Sequence, residues 1–282
     1  MTERMIRAGG FELATETFGD ATLRPVLLIM GGMASMLWWP EAFCERLASQ
    51  GRYVIRYDNR DTGRSTKYPP GKPGYTFDDM VEDVFRVLDG HAIPAAHIVG
   101  MSLGGMIGQA AAIKQPSRVL SLTAISSSPV GTDTSHLPPF SEAVMEHMDG
   151  ADKVDWTSRE QVIAYMVEDS RVIAGTAHPF DGTKARAFIE RDHDRSGGYL
   201  NATNHALLKM GDAWRGRLHE MRTPLLVIHG TADPIYAVDH GIALAEAVSG
   251  AKLVRINGGG HELHMADWGT IIDAIVMHTS TK

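Results

Sequence analysis

The sequence predicts an α/β protein: a mainly parallel central sheet with helices on both faces and a helical segment inserted between two strands. Three observations carry that expectation. Short, uniformly apolar runs alternate with helix-like stretches along most of the chain. A lone serine boxed by small residues, "GMSLGG", stands where one apolar run hands over to a helix. The block 131–221 contains no apolar run of that kind.

The apolar runs come first. "FELATETF" (Phe11–Phe18) alternates sides after the Gly9–Gly10 turn, as an antiparallel strand does. "VLLIM" (Val26–Met30), "YVIRY" (Tyr53–Tyr57), "HIVG" (His97–Gly100) and "VLSLTAIS" (Val119–Ser126) are followed, much later, by "LLVIHG" (Leu225–Gly230) and "KLVRI" (Lys252–Ile256). Continuous runs of this length suit parallel strands covered on both faces. Between them, helical spacing is expected over Trp39–Ser49, Phe77–Gly90, Leu103–Lys114, Asp239–Ser249 and Asp267–His278. Strand and helix in alternation imply a parallel sheet with right-handed crossovers.

The block 131–221 opens on "PVGTDTSHLPPF" and then reads as amphipathic helix in "SREQVIAYMVEDSRVIAG", "DGTKARAFIERD" and "NATNHALLKMGDAW". It is expected to form a helical lid over the strand ends, where ligands of such sheets bind, with 1–130 and 222–282 forming the core. Tyr165 and Trp214 are expected on apolar faces of this lid. The alternative is a separate small domain with no role at the site.

Composition limits the partners. The net charge of −7 offers no basic excess to neutralise phosphates, so nucleic acid is not expected. The one cysteine, Cys44, rules out an internal disulfide and suits a reducing cytosol. "MTERMIRAGG" has no apolar leader segment and no apolar run reaches membrane-spanning length, so a cytoplasmic protein without membrane association is expected. Nothing in the sequence specifies an oligomeric state.

The serine decides the chemistry. A hydroxyl is a poor nucleophile unless an imidazole takes its proton and a carboxylate fixes that imidazole's tautomer. Ser102 follows "HIVG"; Asp233 follows "LLVIHG"; His261, in "NGGGHELH", follows "KLVRI". Loops after parallel strands share one sheet edge, so residues distant in sequence can converge there.

Gly100-Met101-Ser102-Leu103-Gly104 followed by an acid and then a histidine resembles the α/β-hydrolase superfamily over essentially the full chain. "MGGMASMLWWPEAFCERLASQGRYVIRYDNRDTGRST" is similar to the corresponding stretch of aclacinomycin methylesterase-type bacterial carboxylesterases, through Met-Gly-Gly, Trp-Pro and "YDNRDTGRS". The resemblance implies a serine-dependent carboxylic ester hydrolase working through an acyl-enzyme on a small-molecule ester, with no cofactor. It points to a small alcohol such as methanol leaving a bulky, largely apolar, polyketide-like acid. It implies an oxyanion hole from the amides of Gly32 and Leu103, with Met30 standing where many members have histidine. Met33, Trp38 and Met101 are the candidate apolar pocket residues. Related chains run lactone, C–C or amide hydrolysis on the same triad, or cofactor-free oxygen chemistry, and a non-catalytic ligand binder is the remaining alternative.

Other prominent residues have quieter readings. "HELH" (His261–His264) lacks the two-residue spacing of the zinc motif, and no metal is expected. His229 ends a strand and is expected to be satisfied by backbone. Asp58, Arg60, Asp61 and Arg64 are expected to form a structural ion-pair loop. Trp38 and Trp39 fit a core or a pocket wall equally. Cys44 is expected to be a buried structural thiol.

Overall fold

In the computed structural model, which describes residues 3–280, the sheet of the described residues has eight strands in the order β1-β2-β4-β3-β5-β6-β7-β8. They are β1 (Arg4–Ala8), β2 (Phe11–Phe18), β3 (Arg24–Ile29), β4 (Arg52–Tyr57), β5 (Ala96–Met101), β6 (Val119–Ile125), β7 (Leu225–Gly230) and β8 (Lys252–Ile256). β1 pairs antiparallel with β2, and β2 antiparallel with β4. All later pairings are parallel.

The apolar runs are explained by what covers them. Leu27 and Ile29 of β3 face a core with Ile55, Ile98, Leu122 and Val227, beneath α2 (Phe77–Gly90), α3 (Leu103–Lys114) and α7 (Val238–Ala247). Val26 and Leu28 face a second core with Val54, Val99 and Ile228, beneath α1 (Glu41–Ala48) and α8 (Trp268–His278). Successive residues point to opposite faces and both faces are dry, so the run from Val26 to Ile29 is wholly apolar. Each fully buried side chain of this kind stabilises the sheet by about 1.5–3 kcal/mol. Trp39 belongs here: it is fully buried against Phe43 and is a core residue. Cys44 lies in the same core, where burial pushes its thiol up to about 12.

The expected ends differ little from the observed ones. β1 was absent from the sequence expectation. It carries two arginines, and among its described side chains Ile6 alone is buried; it exists because it pairs with β2 through the Gly9–Gly10 turn, both residues at positive φ.

Between β6 and β7 lie α4 (Glu142–Asp149), α5 (Arg159–Val172) and α6 (Gly182–Ser196), with no strand among the described residues. They enclose a small core of Val162, Ile163, Met166, Ile189 and Tyr199. The stretch expected to be a third amphipathic helix, 201–214, is instead a 3-10 turn over Asn201–Leu207 and another over Asp212–Trp214. Its polar side chains turn inward to reach the core: Asn204 Nδ2 donates to Asp61 Oδ2 at 2.9 Å. Trp214 also departs from expectation. It joins the main core with Leu218 and Met221, and its indole N–H donates to Asp78, so it does not lie on a face of the inserted helices. Tyr165 stacks on His147 within the insertion.

Candidate active site

Ser102 occupies the joint between β5 and α3 with φ 53° and ψ −120°, a conformation L-residues rarely hold. The sequence makes the joint possible by leaving out side chains. A Cβ on Gly100 would lie 2.2 Å from the Gly104 carbonyl oxygen, and one on Gly104 would lie 2.2 Å from that of Ile29. The bend is pinned by hydrogen bonds: Ser102 N–H donates to Ile125 O at 2.9 Å, and Ser127 Oγ donates to Ser102 O at 2.9 Å. Ser102 is half-buried, and its hydroxyl has no hydrogen-bond partner among the described residues.

Asp233 and His261 follow β7 and β8, on the same sheet edge as Ser102. His261 Nδ1 donates to Asp233 Oδ2 at 2.8 Å, and both side chains are buried. The amides of Ile235 and Tyr236 each donate to Asp233 Oδ1 at 2.9 Å, fixing the carboxylate plane. Burial alone would raise the pKa of Asp233, but the His261 imidazole, with His229 and the Tyr236 amide, outweighs it and holds the carboxyl below its ordinary value. With Nδ1 committed as donor, Nε2 of a neutral His261 carries the lone pair. Tyr236 packs edge-on against the His261 ring at 5.9 Å.

A second histidine backs the acid. His229 Nε2 donates to Tyr236 O at 2.7 Å and lies 3.5 Å from Asp233 Oδ2. One ring nitrogen is thus satisfied by backbone, as expected, while Nδ1 has no partner. Burial holds this ring below its usual pKa.

The inserted segment braces the histidine loop. His261 N–H donates to Ile173 O at 2.9 Å, and Gly175 N–H donates to Glu262 Oε1 at 2.9 Å. A Cβ on Gly260 would meet Gly175 N at 2.2 Å, so the glycines of "NGGGH" serve close backbone stacking as well as a turn.

The loop after β3 passes against the serine. A Cβ on Gly31 would sit 3.1 Å from Ser102 Cβ, and one on Gly32 would sit 3.9 Å from Leu103 Cδ2. Gly32 is exposed, and neither its amide nor that of Leu103 has an acceptor among the described residues. Met33, next in line, is held at φ 61°. Trp38 packs edge-on against Phe188 at 5.1 Å and donates to Asp192 Oδ2 at 2.9 Å, bridging core and insertion. Met101 is buried in the second core. A cavity of about 490 Å³ lies beyond Tyr236, bordered by Leu137, Phe140 and Met145 and by none of Met33, Trp38 or Met101.

The "YDNRDTGRS" loop is an ion-pair and hydrogen-bond centre. Asp58 pairs with Arg195 of α6, Arg60 with Asp83, and Arg64 with Glu3; Asp61 accepts from Tyr75 OH at 2.7 Å. Sequence reasoning missed the partners supplied by the insertion. Asp192, fully buried, accepts from Ser35 Oγ (2.5 Å), Trp38 Nε1 (2.9 Å) and Tyr199 OH (2.7 Å). His205 is buried between two core loops. Neither residue sits in a motif; the only sequence signal was a polar residue in an otherwise amphipathic stretch.

One group of potential metal ligands exists among the described residues: His178, His264 and Asp267, whose ligand atoms all lie within 4.8 Å of one another. The two rings stack at 4.1 Å and 13°, so their lone pairs run side by side rather than at a shared point. His178 Nε2 lies 3.3 Å from Asp267 Oδ1. The group reads as a polar joint between insertion and histidine loop. No described helix is long and apolar enough to cross a membrane.

Comparison with known proteins agrees with this fold. The family model described as alpha/beta hydrolase fold matches residues 24–267. The chain is 35% identical to rhodomycin D methylesterase DauP of Streptomyces sp. (strain C5), over 99% of this chain and 98% of that protein. It is 34% identical to rhodomycin D methylesterase DnrP of Streptomyces peucetius, with the same coverage. Among solved structures, the esterase EaEST from Exiguobacterium antarcticum superposes with TM-score 0.81 at 19% identity, over 99% of this chain and all of that one. The enol-lactonase from Burkholderia xenovorans LB400 superposes with TM-score 0.74 at 20% identity, again over 99% of this chain and all of that one.

Proposed function

Because the chain belongs to the α/β-hydrolase family, we propose that it is a carboxylic ester hydrolase in which Ser102, His261 and Asp233 act as a nucleophile–base–acid unit. The observation that carries this reading is the buried 2.8 Å bond from His261 to Asp233, on the sheet edge that also holds the strained Ser102. His261 Nε2 takes the Ser102 proton as Oγ attacks the ester carbonyl, and Asp233 stabilises the resulting imidazolium. The amides of Gly32 and Leu103 receive the oxyanion; each lacks a competing acceptor among the described residues. The tetrahedral adduct collapses as imidazolium protonates the leaving alcohol. Water, deprotonated by the same nitrogen, then cleaves the acyl-enzyme and releases the acid.

The inserted helices form a lid that encloses the acyl part. Support comes from their contacts with the histidine loop and the loop after β3. Relatives named for methyl ester cleavage favour a methyl ester of a bulky, largely apolar, polyketide-like acid as the substrate class. Met33 and Trp38, at that junction, are the candidate acyl contacts, with Met101 beneath.

The experiment is a matched panel of methyl esters of bulky aromatic acids against long-chain alcohol esters of acetate, run on wild type and Ser102→Ala. Loss of kcat by on the order of 10³ or more in Ser102→Ala is expected, with preference for the first set. A residual rate within about tenfold of wild type would defeat the covalent mechanism. A preference for the acetates would defeat only the substrate class.

A further inference from the structure

The backbone that carries Gly32 is strained, and its restraint comes from the inserted segment. Met33 stands directly after Gly32 with φ 61°, in the left-handed region that a side chain disfavours. A strained residue persists only where its surroundings over-determine it. The restraint on its amide is His205, from the 3-10 turn Asn201–Leu207. Met33 N–H donates to His205 Nδ1 at 3.0 Å, and His205 Nε2 lies 2.8 Å from Arg60 O.

The two contacts fix the ring's state. A carbonyl oxygen can only accept, so Nε2 carries the proton; a backbone amide can only donate, so Nδ1 carries the lone pair. The ring is therefore the neutral Nε2–H tautomer, and its burial disfavours the cation. The neighbouring Asn204 anchors the same turn, accepting from Gly71 N–H at 2.8 Å and donating to Asp61. On its other side the loop is tied by Asn59 Nδ2, which donates to Met30 O at 3.1 Å.

We infer that His205 is a positioning residue: from the insertion, it holds the Gly32–Met33 backbone in the one conformation that leaves the Gly32 amide free to receive an oxyanion. This rests on the reading of Gly32 as an oxyanion donor. The insertion then does more than cover substrate, because the oxyanion site is complete only while the turn carrying His205 is docked.

The test separates the acceptor from mere bulk. Asn places Oδ1 where Nδ1 was, whereas Gln reaches only to the Nε2 position. His205→Gln is expected to lower kcat on p-nitrophenyl acetate by roughly 10- to 100-fold with KM changed less than about threefold, because misplaced donors cost the transition state rather than substrate binding. It should weaken a boronic acid inhibitor, which forms a tetrahedral adduct on the serine, by a similar factor. His205→Asn is expected to keep kcat within about threefold of wild type. Equal losses in the Asn and Gln variants, or a Gln variant within about twofold of wild type, would overturn the inference.

If the Gln variant does not fold, hydrogen exchange on the unaltered protein gives the decision. The Met33 amide should exchange at least about tenfold more slowly than that of Gly32, and equal rates overturn the inference. Ser102→Ala, run alongside, distinguishes the two levels. Full activity without the serine defeats the hydrolase mechanism; a dead serine variant beside an unaffected His205→Gln defeats only the role of His205.

Discussion

Arg195, near the end of α6, holds Asp58 at 2.7 Å across the boundary between insertion and core, and the Asp58 carboxylate is wholly shielded from water. Asp58 also accepts from the amides of Met36 and Arg64. Burial pushes its pKa up, while Arg195 and the amides pull the other way. Removing the arginine leaves an uncompensated buried charge, which costs far more than the pair contributes over apolar replacements. Arg195→Leu is expected to destabilise the protein by about 3–5 kcal/mol, measured by urea unfolding, with Arg195→Leu/Asp58→Asn recovering part of it. A loss below about 1 kcal/mol would place the pair with exposed salt bridges instead.

Asp233→Asn changes the tautomer of His261 while keeping its shape. An amide nitrogen in place of the accepting oxygen favours hydrogen on Nε2, the nitrogen that must take the serine proton. A fall in kcat on the order of 10⁴ is expected, with Tm changed little. Retention of activity would show that another group, such as His229, orients the base.

Acidification should destabilise the protein through its buried histidines. Burial, ahead of the nearby Arg52, pushes His97 down to about 4. Burial likewise lowers His91, His205 and His229. Unfolded, each ring takes a proton near its ordinary pKa of about 6.5; folded, it resists until lower pH. Protons therefore favour the unfolded chain, and stability present above about pH 6.5 is lost as pH falls towards 4, by up to about 1.4 kcal/mol per pH unit for each ring. Depressed carboxylates such as Asp233 add their loss only at still lower pH. Tm should be level from pH 7 to 8 and decline between about 6.5 and 4.5, less steeply in His97→Asn. A level Tm across that range would mean these rings titrate alike folded and unfolded.

Two tryptophans should part company. Trp214 lies in the main core, so Trp214→Ala is expected to cost about 3–5 kcal/mol in stability and leave ester preference unaltered. Trp38 is half-buried at the junction of core and insertion, so Trp38→Leu is expected to shift rate ratios across the ester panel by roughly 10- to 100-fold. Unchanged ratios in Trp38→Leu would remove it from the substrate contacts.

Much of this was legible from particular residues. Gly100, Ser102 and Gly104 announce a joint too tight for side chains, because the requirement is local: strand, bend and helix are consecutive in the chain. The strands covered on both faces were legible for a similar reason, since a dry environment on either side favours apolar residues, and the few polar ones that occur there, such as Ser121 and Thr123 of β6, are buried with them. β1 was not, because an edge strand with charged residues declares itself only through its partner.

The sequence by itself determined the strands covered on both faces, the joint expected at Ser102 and the order serine, acid, histidine, all of which are read from residue type along the chain. Tertiary structure alone decided what the insertion touches. His205 meets Met33 across 172 positions, Arg195 meets Asp58 across 137, and Asp192 meets Ser35 across 157. A polar residue on an amphipathic stretch looks the same whether it faces water or a buried amide. Only the docking of one backbone against another, within hydrogen-bond reach, tells the two apart.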